Sequence, residues 1–168
     1  MGDAVPFFQG QTATLTRTIA AEDVEAFARA TGDTNPIHLD EAYAAKTRFE
    51  HRIAHGRPVA AYKSELPGTR FPGEGAIYMS QDLQFLKPVY LGDTLELVAT
   101  VLKYWADRAI LPLATAAYNQ RGEKVLGGEA VCLVTDLPGA QERYNHPAAA
   151  ATSQAGAALL LTKGCTYV

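Results

Sequence analysis

Residues 76–87 read AIYMSQDLQFLK, and here the spacing of apolar side chains changes from helical to alternating. Ile77, Met79, Leu83 and Phe85 alternate with Tyr78, Ser80, Asp82 and Gln84, the period of a strand with one buried face. Pro88 closes the run, and Leu91-Gly92-Asp93 makes a turn. Residues 94–105 then put Leu95, Leu97, Ala99 and Val101 on one face. Residues 109–119 form the next strand, in which Pro112 has no ladder donor and argues for an edge position or a bulge. Asn119-Gln-Arg-Gly122 is a hairpin turn before a last long strand over 124–135 (KVLGGEAVCLVT).

Upstream of this block the chain reads differently. The Thr-rich residues 11–19 form a first strand, and 22–31 form a helix with Val24, Phe27, Ala28 and Thr31 on one face. Gly32 ends that helix. Residues 33–39 form a turn, and Asp40 can cap a short helix over 41–46. Residues 47–57 connect to a helix that starts at Pro58 and ends where Pro67-Gly68 breaks it. A strand, then helices, then four consecutive antiparallel strands is an α+β layout with helices gathered on one side of a sheet. Residues 137–168, Ala-rich after Pro138 and Gly139, read as a tail beyond a domain spanning 1–136.

Composition narrows the function classes. The chain has 168 residues, enough for one domain, with 48% hydrophobic and 20% charged residues. Its formal net charge is −3 and no stretch clusters Lys and Arg, so a nucleic-acid partner is not expected. No apolar run approaches the roughly 20 residues that span a bilayer, and the first residues lack the pattern of a secretory signal. Cys132 and Cys165 give neither a disulfide framework nor a metal-ligand pattern. Both read as free thiols in the cytoplasm, with Cys132 packed as a small hydrophobe. His51 and His55 have the spacing of some zinc sites but no third ligand, so no metal is expected.

The chemistry lies in residues 31–39, Thr-Gly-Asp-Thr-Asn-Pro-Ile-His-Leu. A turn here carries a carboxylate, Asp33, and an imidazole, His38, and can aim both at one point, as acid–base work on a water molecule needs. Their ordinary pKa values near 3.9 and 6.5 make carboxylate and near-neutral imidazole the default pair. The blander reading makes Gly32-Asp33 a helix stop and His38 a half-buried filler. His55-Gly56 precedes a helix whose unpaired N–H groups could hold a thioester oxygen as it gains charge. Equally, Gly56 could only permit a tight turn.

The run Ala30-Thr-Gly-Asp-Thr-Asn-Pro-Ile-His-Leu-Asp40 resembles the hydratase motif of the MaoC-like, (R)-specific enoyl-CoA hydratases. The resemblance continues through Ile53-Ala-His-Gly56, Leu66-Pro-Gly-Thr-Arg-Phe-Pro-Gly73, Gly75-Ala-Ile-Tyr-Met-Ser-Gln81 and Leu86-Lys-Pro-Val-Tyr-Leu-Gly-Asp93, and it covers roughly residues 10–135. The chain also looks similar to the hydratase-like domain fused to some phosphate acyltransferases. The resemblance implies a hot-dog fold, a curved antiparallel sheet wrapped around one central helix, here residues 58–67. It implies a homodimer that hydrates trans-2-enoyl thioesters of coenzyme A or acyl carrier protein, without metal or redox cofactor. Asp33 and His38 would activate the water, Asn35 would steady them, Ser64 would hydrogen-bond within the site, and the Gly56 N–H would belong to the oxyanion hole.

Two departures stand out. Arg57-Pro58 replaces the apolar residues usual after His-Gly, and Arg57 could contact nucleotide phosphates of coenzyme A. The central helix also carries Tyr62, Lys63 and Glu65, and a buried unpaired Lys or Glu is costly. Two rival readings follow: a catalytically silent acyl-thioester binding module, and a thioesterase on the same fold.

Overall fold

The computed structural model describes residues 7–134; the expected tail 137–168 and Cys165 lie outside them. Strand β1 (Thr12–Thr18) leads into α1 (Ala21–Thr31), the short α2 (Pro36–Leu39) and α3 (Glu41–Ala44), and then α4 (Gly56–Glu65). Strands β2 (Ile77–Gln81), β3 (Gln84–Phe85), β4 (Thr94–Val101), β5 (Ile110–Tyr118) and β6 (Lys124–Leu133) complete the domain. The sheet order is β1-β4-β5-β6-β2, every pairing is antiparallel, and β3 also pairs with β6. This is the expected α+β hot-dog arrangement, with α4 packed against one face of the sheet.

The alternation along β4 does what its sequence dictates. Leu95, Leu97, Ala99 and Val101 are all buried, while Glu96 is exposed. Along β5 the inward positions are Leu111, Leu113, Thr115 and Ala117. Thr115 divides the core in two. On one side Leu66, Phe71, Leu111, Leu113 and Cys132 pack together, and on the other Val59, Leu95, Leu97, Ala117 and Leu126. Across from Thr115, α4 presents Lys63, 2% exposed, whose Nζ donates to Thr115 Oγ1 at 2.8 Å. Burial of Cys132 pushes its thiol up to about 11, so it packs rather than reacts.

Several local expectations are corrected. The segment 76–87 is two short strands, not one, and its apolar face is reversed in the first of them: Ile77 is 54% exposed and Met79 57%, while Tyr78 packs on the core; Leu83, between the two strands, does pack inward. A register shift against β6 between Tyr78 and Ser80 re-aims the side chains, and an outer strand lacks a second neighbour to enforce the pattern. Pro112 lies in an interior strand, not at an edge. Its carbonyl accepts from Leu102 N–H at 3.0 Å, one step past the last β4–β5 pair, Val101↔Leu113. Its missing N–H therefore interrupts only the end of that ladder.

Helix α4 begins two residues before Pro58. First-turn N–H groups have no intrahelical acceptor, so proline fits the third position as well as the first. Nor does Pro67 end the coiling. The chain widens into a π-helical turn over Leu66–Arg70, closed by Phe71 N–H to Leu66 O at 2.7 Å. Residues 36–39 are one helical turn rather than an irregular bend. Gly128 is required where it stands: it has φ +149°, and a Cβ there would collide with the Asp82 carbonyl.

Candidate active site

Helix α1 stops at Gly32, which adopts φ +77° and donates its N–H to Ala28 O, as a left-handed cap. The chain then turns back. Asn35 N–H reaches Asp33 Oδ1 at 3.4 Å, and the Asn35 side chain caps α2 by accepting from Ile37 N–H at 3.2 Å. That single turn of helix projects His38. Asn35 thus spends its side chain on the backbone that carries the imidazole.

His38 is held from several sides. Its Nδ1 lies 2.8 Å from Ile53 O, and a carbonyl only accepts, so Nδ1 carries the hydrogen and Nε2 keeps its lone pair. Arg52 Nε donates to the His38 carbonyl at 2.7 Å. Burial lowers the His38 pKa, the Ile53 bond raises it, nearby His55 lowers it and Asp33 raises it; the net position is below 6.5. Asp33, by contrast, is half exposed.

Asp33, His38 and His55 each offer a ligand atom, all within 4.8 Å of one another. Two hydrogen bonds of about 2.8 Å from one water span about 4.6 Å at the tetrahedral angle, so one water fits between carboxylate and imidazole. Distance alone would also admit a metal ion on these three. The rings of His38 and His55, however, stack at 3.8 Å between centroids and 32° between planes. One nitrogen of each ring is also already engaged with a backbone carbonyl, His38 Nδ1 with Ile53 O and His55 Nε2 with Asp33 O, and we assign no metal role to the three. His51 is elsewhere, bonded through Nδ1 to Glu41 Oε1 at 2.7 Å.

A cavity of about 460 Å³ opens beside His38. Its walls are mostly apolar, including Phe49, Val59, Phe85 and Leu126, with Gly56 at the head of α4 and Arg48, Arg57 and Lys87 around it. No side chain caps α4, which leaves the N–H groups of Gly56 and Arg57 without partners among the described residues. A Cβ on Gly56 would meet the Phe85 ring at 2.8 Å, so glycine lets that ring pack closely against the head of α4.

The expected site residues are therefore distributed as follows. Asp33, His38 and the head of α4 at Gly56 come together, and Arg57 is exposed at the cavity. Ser64 does not join them. It stands eight residues along α4 from Gly56, about 12 Å at 1.5 Å per residue, and is exposed with no hydrogen-bond partner among the described residues. Sequence reasoning missed His55, which is 2% exposed and reaches Asp33 O with Nε2 at 3.0 Å. The one available signal was its place immediately before the helix-head glycine.

The sequence profile of the MaoC like domain matches residues 7–109. The chain belongs to the MaoC-like family. Among MaoC-like relatives it is 44% identical over 124 residues to the (R)-specific enoyl-CoA hydratase of Aeromonas caviae, covering 73% of this chain and 91% of that one. It is 41% identical over 126 residues to the (R)-specific enoyl-CoA hydratase of Rhodospirillum rubrum, covering 75% and 87%. The solved (R)-hydratase from A. caviae involved in PHA biosynthesis superposes with a TM-score of 0.76 at 39% identity, over 79% of this chain and 100% of that one. The hot-dog fold of this MaoC-like chain is thus shared with a hydro-lyase family.

Proposed function

We propose that this chain is an (R)-specific enoyl thioester hydratase, a hydro-lyase that adds water reversibly and with syn geometry to trans-2-enoyl thioesters. One observation carries the reading: Asp33 and His38 meet within the reach of one water, beside an apolar cavity that begins at the uncapped head of α4. The thioester carbonyl accepts from the Gly56 N–H, which draws electron density from the conjugated double bond and makes Cβ electrophilic. The water between Asp33 and His38 gives up a proton, for which the His38 Nε2 lone pair is available, and its oxygen bonds to Cβ. The π electrons move to the thioester oxygen. As the carbonyl reforms, Cα takes a proton from the same pair on the same face. One C–O and one C–H bond form, one O–H bond and the π bond break, and the C–S bond is untouched.

The test is to add purified protein to trans-2-enoyl-CoA of several lengths and follow the conjugated absorbance, coupling the product to an (R)-specific dehydrogenase. Turnover with production of (3R)-hydroxyacyl-CoA supports the reading. Release of free thiol instead means a thioesterase, and binding without turnover at any length means a silent acyl-thioester module.

The carrier is a phosphorylated one, coenzyme A or acyl carrier protein, because Arg48, Arg57 and Lys87 border the cavity. Arg57→Ala is expected to raise KM for enoyl-CoA about two- to five-fold, the scale of one exposed ion pair. An enoyl-pantetheine lacking the nucleotide phosphates should show no change, and equal effects on both would remove Arg57 from the handle's contacts. No helix among the described residues is long and apolar enough to cross a membrane. We place the enzyme in the cytoplasm as a homodimer, in which a second copy covers exposed Ile77 and Met79 on β2. Light scattering should read twice the chain mass, and the double substitution Ile77→Lys, Met79→Lys should halve it; a monomeric wild type overturns the dimer.

A further inference from the structure

Residue His55 has no assigned part in the proposed reaction, yet it is the best buried titratable side chain beside the pair. It occupies the N-cap position of α4 and is 2% exposed. Its Nε2 lies 3.0 Å from the Asp33 carbonyl oxygen, so Nε2 is the donor, and its Nδ1 is buried with no hydrogen-bond partner among the described residues. One face of the ring meets Phe27 of α1 at 4.9 Å between centroids, and His38 of α2 stacks on it at 3.8 Å. Three elements are thereby joined through one imidazole, α1 and α2 through their rings and α4 through the chain itself.

From this arrangement we propose that His55 is a positioning residue for the Asp33–His38 pair. The inference rests on the hydratase reading. The bond to the Asp33 carbonyl fixes the motif turn to the head of the helix that holds the thioester oxygen. The carboxylate and the oxyanion donors then keep one distance from each other. The stack limits His38 differently. With Nδ1 anchored on Ile53 O and one ring face against His55, the imidazole has little freedom left to rotate, and Nε2 stays free for the water. Misplacing a catalytic group by about 1 Å can cost on the order of 100-fold in rate.

Two substitutions separate the parts of this role. His55→Phe keeps a ring between Phe27 and His38 but cannot donate to the Asp33 carbonyl. His55→Gln keeps a donor and has no ring. Phe is expected to lower kcat about 10- to 100-fold with KM within about two-fold, and Gln to recover part of that loss. Burial is the main cause that lowers the His38 pKa, and either change removes the smaller lowering that His55 adds to it. The other charged groups facing His38 remain, namely Asp33, Arg52 on its carbonyl, and Arg48 and Arg57 in the cavity. The acid limb of the kcat–pH profile therefore moves to higher pH. An NMR titration of the His38 ring reads the same shift without turnover, so it stands even where no enoyl thioester is hydrated. Wild-type kcat in His55→Phe overturns the proposal. So does a loss matched by a lower Tm while the pH profile and the His38 titration stay unmoved, since that pattern belongs to a merely structural residue.

Discussion

His38→Gln and Asp33→Asn are each expected to lower kcat for a trans-2-enoyl thioester by about 10³-fold, with KM within about three-fold. Both changes preserve side-chain size and remove only the ability to exchange a proton. Gln at 38 can still donate to the Ile53 carbonyl but has no lone-pair nitrogen to receive a proton. Asn at 33 can still accept from Asn35 N–H through its amide oxygen. Since Asp33 is half exposed, its replacement should leave Tm unchanged, and a loss of rate cannot then be blamed on folding. The pair works on one water, so the double variant should be no more than about 10-fold worse than either single one. For the wild type, the base form of His38 is the neutral one and its pKa lies below 6.5, chiefly through burial. The rate should therefore fall with acidification, with its half-maximal point below pH 6.5. Steady-state rates from the loss of conjugated absorbance check all of this. Retention of more than a tenth of the wild-type rate by either variant would remove that residue from the chemistry.

How much of this could be read from the residues depends on how many neighbours constrain each one. Strand β4 is flanked by β1 and β5 and covered by α4, so the alternation Leu95, Leu97, Ala99, Val101 had only one solution. Gly32 was equally plain, since a helix stop at φ +77° selects glycine. The outer strand failed for the opposite reason. Its pattern of Ile77, Met79, Leu83 and Phe85 is strand-like, but periodicity cannot say which face is inward when a bulge intervenes. Pro112 misled because the rule against proline in central strands concerns ladder donors, and the end of a ladder needs fewer of them. At the site, Asp33 and His38 are close in sequence and one turn brings them together. His55 joins them from 22 residues beyond Asp33 through a backbone carbonyl, a bond that no local pattern announces.

Lys63 is a conflict the sequence announced and the fold contains at a cost. A buried unpaired lysine is costly; Lys63 is buried, and its hydrogen-bond partner among the described residues is a neutral hydroxyl, Thr115 Oγ1. Thr115 in turn donates to Gly128 O at 3.1 Å, so the seam between the two apolar clusters is polar but, among the described residues, holds no counter-ion in contact with the amine. Burial, helped by the like charge of Lys124 and opposed by Asp82, brings the Lys63 pKa down to about 8 from 10.5. A lowered amine pKa means that folding disfavours the charged form. Below pH 8 the amine is charged in both states and the folded chain bears the whole penalty; the penalty fades as pH rises from 8 to 10.5. Its full size is about 3 kcal/mol at 1.36 kcal/mol per pKa unit. Lys63→Met fills the same volume without charge and leaves the Thr115–Gly128 bond in place. It is expected to stabilise the domain by about 2–3 kcal/mol at pH 7, a Tm rise of roughly 5–10 °C, and by far less at pH 10.5. Paired denaturant melts of the two proteins at both pH values isolate the effect, because every other titrating group cancels in the difference. If Lys63→Met were less stable at pH 7, or its advantage did not shrink with rising pH, the amine would have to be drawing more from Thr115 and Asp82 than burial takes away.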